Sequence, residues 1–286
     1  MRYTAMSMQL SKDIWLTLKL ASKKFIDDRC IMAAQALTYT TIFTLIPALS
    51  LSFSLFHFFF GDLTYLEPLL FRYLSEILAP GRQKIVFETI ENLIQKTQEA
   101  PLGMFSFLFF FLIAVMLVIE LEDILNHIWK VKSRKPFWRK GIVYLTALTF
   151  VPMLIAMPVI ARAFLASHEL ALLVLKYLHI FKLLRLAPLF SIWIFLWCIY
   201  FFIPDTKVES QAAVAGALSG GILWLAAAKL YSIYTRKVFI YSILYGSIGA
   251  IPVFLLWLLI SWMAILFGAE VSYSFSFRRS RTLPAA

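Results

Sequence analysis

From Val238 to Ala269 the chain carries no formal charge, and Glu270 ends the run. An α-helix rises about 1.5 Å per residue, so roughly 20 apolar residues cross the hydrocarbon core of a bilayer. This run is longer than that, and Gly246, Gly249 and Pro252 punctuate its first third. Residues 247–269 are therefore predicted to span a membrane as a helix. The preceding YSILYG segment reads as an interfacial or re-entrant approach to it. Hydrocarbon offers no water to hydrogen-bond a bare backbone, so the other apolar runs of the chain must become helices as well.

Composition makes the same point. Hydrophobic residues form 61% of the 286 positions, charged residues 15%, and the mean hydropathy is +0.81. A water-soluble domain with that balance lacks the polar groups to cover its surface. The expected fold is all-α, a single integral membrane domain over residues 1–286 with six transmembrane helices. The apolar runs place them at about 31–60, 101–122, 141–161, 186–203, 210–231 and 247–269. Pro47, Pro152, Pro158 and Pro188 predict kinks, because a proline inside a helix removes one backbone hydrogen bond and crowds the preceding turn. The net charge of +11 lies mainly outside these runs, so it orients the chain in the membrane and calls for no nucleic-acid partner. Cys30 and Cys198 stand far apart and form neither a disulfide framework nor a metal knuckle. The first 30 residues have no continuous apolar core of a cleavable signal.

Between the spans the pattern changes. In residues 1–29, Ile14, Leu18, Ala21 and Phe25 share one helical face, and Lys12, Lys19 and Lys23 another. Such an amphipathic helix lies on a membrane surface or packs on the protein's own cytosolic side. Residues 62–100 carry two apolar helical stripes separated by Pro80-Gly81, which predicts a periplasmic helical hairpin. Lys176, His179, Lys182 and Arg185 form the basic edge of an interfacial helix. With the spans so placed, one side of the membrane receives 16 Lys and Arg residues and the other 10. Basic loops stay inside, so both termini, including the 271–286 tail with Arg278, Arg279 and Arg281, are expected in the cytoplasm.

The fifth run contains two rows of small residues: Ala212, Gly216 and Gly220, and Ala213, Ala217 and Gly221. Four-residue spacing puts each row on one face, where backbones can approach closely. Packing within the chain is expected, with a homodimer seam as the alternative. No HExxH, CxxC, GxxxxGK[ST] or GxSxG motif is present, and the four histidines are not at metal-ligand spacing. Catalytic, cofactor-binding and metal-binding residues are accordingly expected to be none, and the protein is not read as an enzyme. Glu120, Glu122 and Asp123 sit at a membrane boundary beside the basic 130–140 run, as an interfacial charge pairing would. More informative is a convergence at one depth. Arg29, Glu120, Glu122, Arg134, Asp205, Lys207 and Glu270 all fall at the expected cytoplasmic interface. Charges near hydrocarbon pair with one another, line a wet cavity or meet lipid headgroups; the plainer alternative is that they anchor helix ends. Lys229, near the opposite face, is placed to snorkel toward a headgroup.

Several segments resemble one family. They are DDRCIMAAQALTYTTIFTLIPAL at 27–49, the Asn126-His127-Ile128-Trp129 turn, and the Pro204-Asp205 step. AAVAGALSGGILWLAAAKLYSIY followed by YGSIGAIPVFLLWLLISWMAILFGAEVSYSF completes the set. Over roughly residues 25–275 the chain is similar to the YihY/BrkB membrane proteins. That resemblance implies a bacterial inner-membrane protein of six spans. Such proteins have carried the name ribonuclease BN, yet nothing here resembles a nuclease metal site. Members have also been linked to serum resistance and to moving lipids across or out of the inner membrane. The resulting expectation is a transporter-like protein that handles an anionic amphiphile, such as a phospholipid or lipid A precursor, with membrane lipids as its partners. Without a nucleotide motif, its energy would come from an ion gradient, a partner or the lipid gradient. The alternative is a scaffold that holds an envelope assembly through the 62–100 hairpin.

Overall fold

The computed structural model describes residues 2–60, 103–131, 180–241 and 250–282, and every regular element among them is a helix. The expected third span at 141–161, the 62–100 hairpin, the basic edge at 176–179 and Arg134 lie outside the described residues. The helices are α1 (Arg2–Asp27), α2 (Cys30–Phe60), α3 (Gly103–Ile128), α4 (Ile180–Phe202), α5 (Ser210–Tyr241) and α6 (Ala250–Thr282). Two compact units divide the chain, Tyr39–Leu117 and a larger one of Met1–Thr38 with Val118–Ala286. In the smaller unit, Tyr39 and Phe43 lie one turn apart on α2 with ring centroids 4.7 Å from each other. The larger unit contains the helix seams and helix ends from which the site is built.

Ser210–Thr235 and Pro252–Ser280 are long and apolar enough to cross a membrane; Cys30–Leu45 and Phe190–Phe202 are shorter apolar stretches. The outward face of α5 presents Val214, Leu218, Ile222 and Leu230, the last of them 68% exposed. In water a row of that kind would be a sticky patch. Facing acyl chains it is satisfied, and the polar backbone stays inside the helix.

With no hydrophobic drive between helices in lipid, packing must come from close contact. The α5–α6 seam supplies it. A Cβ on Gly216 would stand 2.6 Å from the Gly268 carbonyl oxygen and 2.7 Å from Ser272 Cβ, and one on Gly220 would stand 3.2 Å from Gly268 Cα. The two backbones therefore touch. From α4, the fully buried Tyr200 fills the space beside these glycines, and its hydroxyl donates to the Ile265 carbonyl at 2.6 Å. The second small row turns toward α4, where Trp193 lies against Gly221 and Ala213 and Ala217 are buried. At the other end of the seam Tyr231 donates to the Val253 carbonyl at 3.0 Å, and Trp257 meets the rings of Trp224 and Tyr231.

Several helices run beyond their expected spans: α3 continues to Ile128 and α4 begins at Ile180. α5 continues to Tyr241, and α6 passes through Glu270 to Thr282. A carboxylate does not stop a helix when its side chain has an interior place, and Val271, Ser272 and Ser274 keep the buried face going. The end of α6 is tied on both sides. Arg278 reaches the Asp13 carboxylate of α1 at 2.7 Å and Thr17 Oγ1 at 3.2 Å, while Arg279 pairs with Glu209 at 3.5 Å and with Gln211 at the start of α5.

Helix α1 packs along α6 through Thr17, Ala21 and the Phe25–Phe267 ring contact. Its Ile14, Trp15, Leu18 and Ile26 remain exposed. The packed face is thus rotated from the Ile14–Leu18–Ala21–Phe25 stripe toward Thr17, leaving an apolar strip uncovered beside Lys19, whose ammonium lies over the Trp15 ring at 5.1 Å.

Candidate functional site

The site is built where the α1–α2 turn, the end of α3 and the α4–α5 connection come together beside α6. Arg29 joins α1 to α2 with a positive φ of 53°. Its N–H donates to the Ile26 carbonyl, closing α1, and its own carbonyl accepts from Met32 and Ala33, opening α2. One residue thus serves as the left-handed end of one helix and the cap of the next, which turns the chain within a single position. α3 ends in a comparable way. Lys130, at φ 55°, donates to the His127 carbonyl and Val131 donates to that of Asn126, the paired bonds of a Schellman ending. That ending sets Asn126 and Trp129 facing inward. Asn126 Oδ1 accepts the Asp205 N–H at 2.8 Å, which fixes the α4–α5 connection against α3.

Glu270 lies at the centre of this arrangement and is fully buried. The Cys30 thiol, first residue of α2 and itself 1% exposed, donates to Glu270 Oε1 across 3.5 Å. Asp28 and Lys24 act on the same carboxylate electrostatically. Lys24 Nζ stands 3.6 Å from Asp28 Oδ2 and 4.2 Å above the Tyr273 ring. Tyr273 in turn meets Trp129 edge to face at 5.5 Å, linking α6 to the end of α3. Glu270 Oε2 meets no hydrogen-bond donor in the protein, and the buried hydroxyls of Ser272 and Ser274, two and four residues on, are likewise unsatisfied. A buried polar oxygen left unpaired destabilises by about 1–3 kcal/mol, more for a charged group, so such an atom calls for an occupant.

Among the residues expected at this interface, Glu122 is 3% exposed on the packed face of α3, Glu120 and Asp205 are half-buried, and Arg29 and Lys207 are exposed. Contacts bring Glu270 to the Arg29 turn through Cys30, and Asp205 to α3 through Asn126. Asp123 is exposed, and Lys229 is exposed on α5. Sequence reasoning missed Lys24, Asp28 and Tyr273. The oppositely charged pair at i and i+4 just before a charge-free run was the available signal for the first two. Among the described residues, no three His, Cys, Asp or Glu side chains are placed to hold a metal ion.

Comparison with known proteins gives a consistent result. Residues 21–286 match the family model described as virulence factor BrkB. The UPF0761 membrane protein of Aromatoleum aromaticum is 28% identical over 276 residues, 94% of this chain and 66% of that relative. Its counterpart in Halorhodospira halophila is 30% identical over 259 residues, 89% of this chain and 56% of that relative. For the Aggregatibacter aphrophilus protein the identity is 26% over 254 residues, 87% of this chain and 88% of that one. The chain thus spans 66% and 56% of the length of the first two relatives. No solved structure matches it. Helices suited to lipid, relatives named as membrane proteins, and a family match that takes in the α1–α2 turn and the glycine seam lead to one assignment: this is a membrane protein of the virulence factor BrkB family.

Proposed function

We propose that this protein crosses a bacterial inner membrane six times, with both termini in the cytoplasm, and handles an anionic amphiphile without catalysing a reaction. The observation that carries the reading is the polar junction at one end of an otherwise apolar bundle, with the exposed cations Arg29, Lys130 and Lys207 on the elements that build it. An acidic lipid headgroup is the ligand such cations suit. Each Lys or Arg near an anionic surface contributes about 1 kcal/mol. Acyl chains would remain against the exposed apolar faces of the helices, and proline kinks in the spans would give the bundle room to adapt. Glu120 is assigned to the same rim.

Vesicle reconstitution tests this. In phosphatidylcholine–phosphatidylglycerol vesicles, the protein is expected to speed exchange of a fluorescent phosphatidylglycerol between leaflets more than that of a fluorescent phosphatidylcholine. Arg29→Ala and Lys207→Ala should each slow the acidic lipid about fivefold, the equivalent of about 1 kcal/mol, and leave the zwitterionic lipid unchanged. Exchange of both lipids at the protein-free rate under every imposed gradient would overturn the reading.

A further inference from the structure

We propose that Glu270 is a proton-binding site that couples lipid movement to a proton gradient, an inference that rests on the transport reading. Several observations converge on it. Glu270 is completely buried, and Oε2 receives no hydrogen bond from a donor in the protein; its polar neighbour is the Asp28 carboxylate. Among the described residues, the groups that act on it are Asp28 and Lys24 of α1 and Cys30 of α2. The other helices packed on α6 present neutral groups beside it: α5 its glycines, α4 the Tyr200 hydroxyl, which is committed to the Ile265 carbonyl, and α3 the Trp129 ring on Tyr273. The ion pairs Arg278–Asp13 and Arg279–Glu209 lie more than two turns further along α6. Two carboxylates therefore share one ammonium, and Lys24 already divides itself between Asp28 and the Tyr273 ring.

One proton completes this set. It comes from hydronium on one side of the membrane, joins a Glu270 oxygen, and leaves to water on the other side; no other bond forms or breaks. Protonated, Glu270 can donate its O–H toward the Asp28 carboxylate while Oε1 still accepts from the Cys30 thiol. Ionised, it faces Asp28 as a like charge in a place with little water to screen it. The two states pull together or push apart the α1–α2 turn and α6. That turn pivots on the single left-handed residue Arg29, so the proton acts where the chain already changes direction.

The full chain in phosphatidylcholine–phosphatidylglycerol vesicles loaded with a pH-sensitive dye provides the test, with fluorescent phosphatidylglycerol in one leaflet. For the wild type, a one-unit pH gradient is expected to bias the lipid's leaflet distribution by up to about tenfold at one proton per lipid. The dye should report a proton flux in step. Glu270→Gln should lose both the bias and the flux, and Glu270→Asp should recover part of each. Wild-type exchange indifferent to the pH gradient overturns the proton site and leaves the transport reading standing. If the wild type moves no lipid, the transport reading falls, and infrared spectra then judge proton binding separately. The carbonyl band of a buried carboxylic acid should rise and fall with pH in the wild type and be missing from Glu270→Gln. A wild-type spectrum without that band at any pH where the protein is folded overturns the site, whatever the variants do.

Discussion

Gly268 and Glu270 stand two residues apart on α6, yet they face different worlds. Gly268 looks toward α5, where backbone meets backbone and Tyr200 closes the remaining space. Glu270 looks toward the α1–α2 turn, into a cluster of charge, thiol and aromatic ring. Two residues along a helix turn the side chain by about 200°, so one helix serves both regions without conflict. The seam holds by shape, because lipid offers no hydrophobic gain for bringing helices together. The junction holds by compensation of charge, because every ionisable group removed from water needs a partner. A change of size should therefore injure the seam and spare the junction, and a change of charge should do the reverse.

Gly216→Leu is the largest blow to that contrast. Its side chain would drive into the Gly268 carbonyl, which is backbone and cannot step aside. A loss of about 3 kcal/mol is expected in reversible denaturation from mixed micelles, with α5 and α6 prised apart. Retention of wild-type stability would mean that the seam is not a tight contact. Next comes Lys24→Met, which keeps the length of the side chain and removes its charge. Lys24 and Asp28 are 13% and 12% exposed, so Asp28 would be left with little water and no cation. Stripping one partner from a largely buried pair is expected to lose about 2 kcal/mol, somewhat below the value for a fully buried pair. Lys24→Arg should restore most of it in the same assay. Smallest is Tyr200→Phe, which keeps the ring and deletes one hydrogen bond to Ile265, a change of about 1 kcal/mol. If it matched Gly216→Leu in effect, the seam would depend on that hydroxyl more than on shape.

How far the sequence foretold these regions follows from their physics. The two small-residue rows of α5 are visible as a four-residue repeat, since spacing alone determines a helical face. Their partners are not visible. Tyr200 sits in FLWCIYFF, where nothing in the local pattern separates a buried ring from one facing lipid. Gly268 lies 48 positions beyond Gly220, and only the packing of α5 on α6 brings them together. Glu270 was conspicuous as the lone carboxylate after a long uncharged run. Its neighbours Asp28 and Cys30 were hidden, because they approach from the far end of the sequence. The strip on α1 shows a subtler limit. Periodicity placed its apolar residues on one side, but the packed side was chosen by the fit of Thr17 and Ala21 against α6, and Ile14 and Leu18 were left outside.

The length of α6 has a mechanical meaning. Its 33 residues measure about 50 Å, against the ~30 Å of a bilayer's oily interior. A rod that long has to project, and its projecting end is gripped by α1 through Arg278 and by the start of α5 through Arg279. Tilting the rod inside the lipid would swing those grips outside it, so a lean in one compartment is carried into the other.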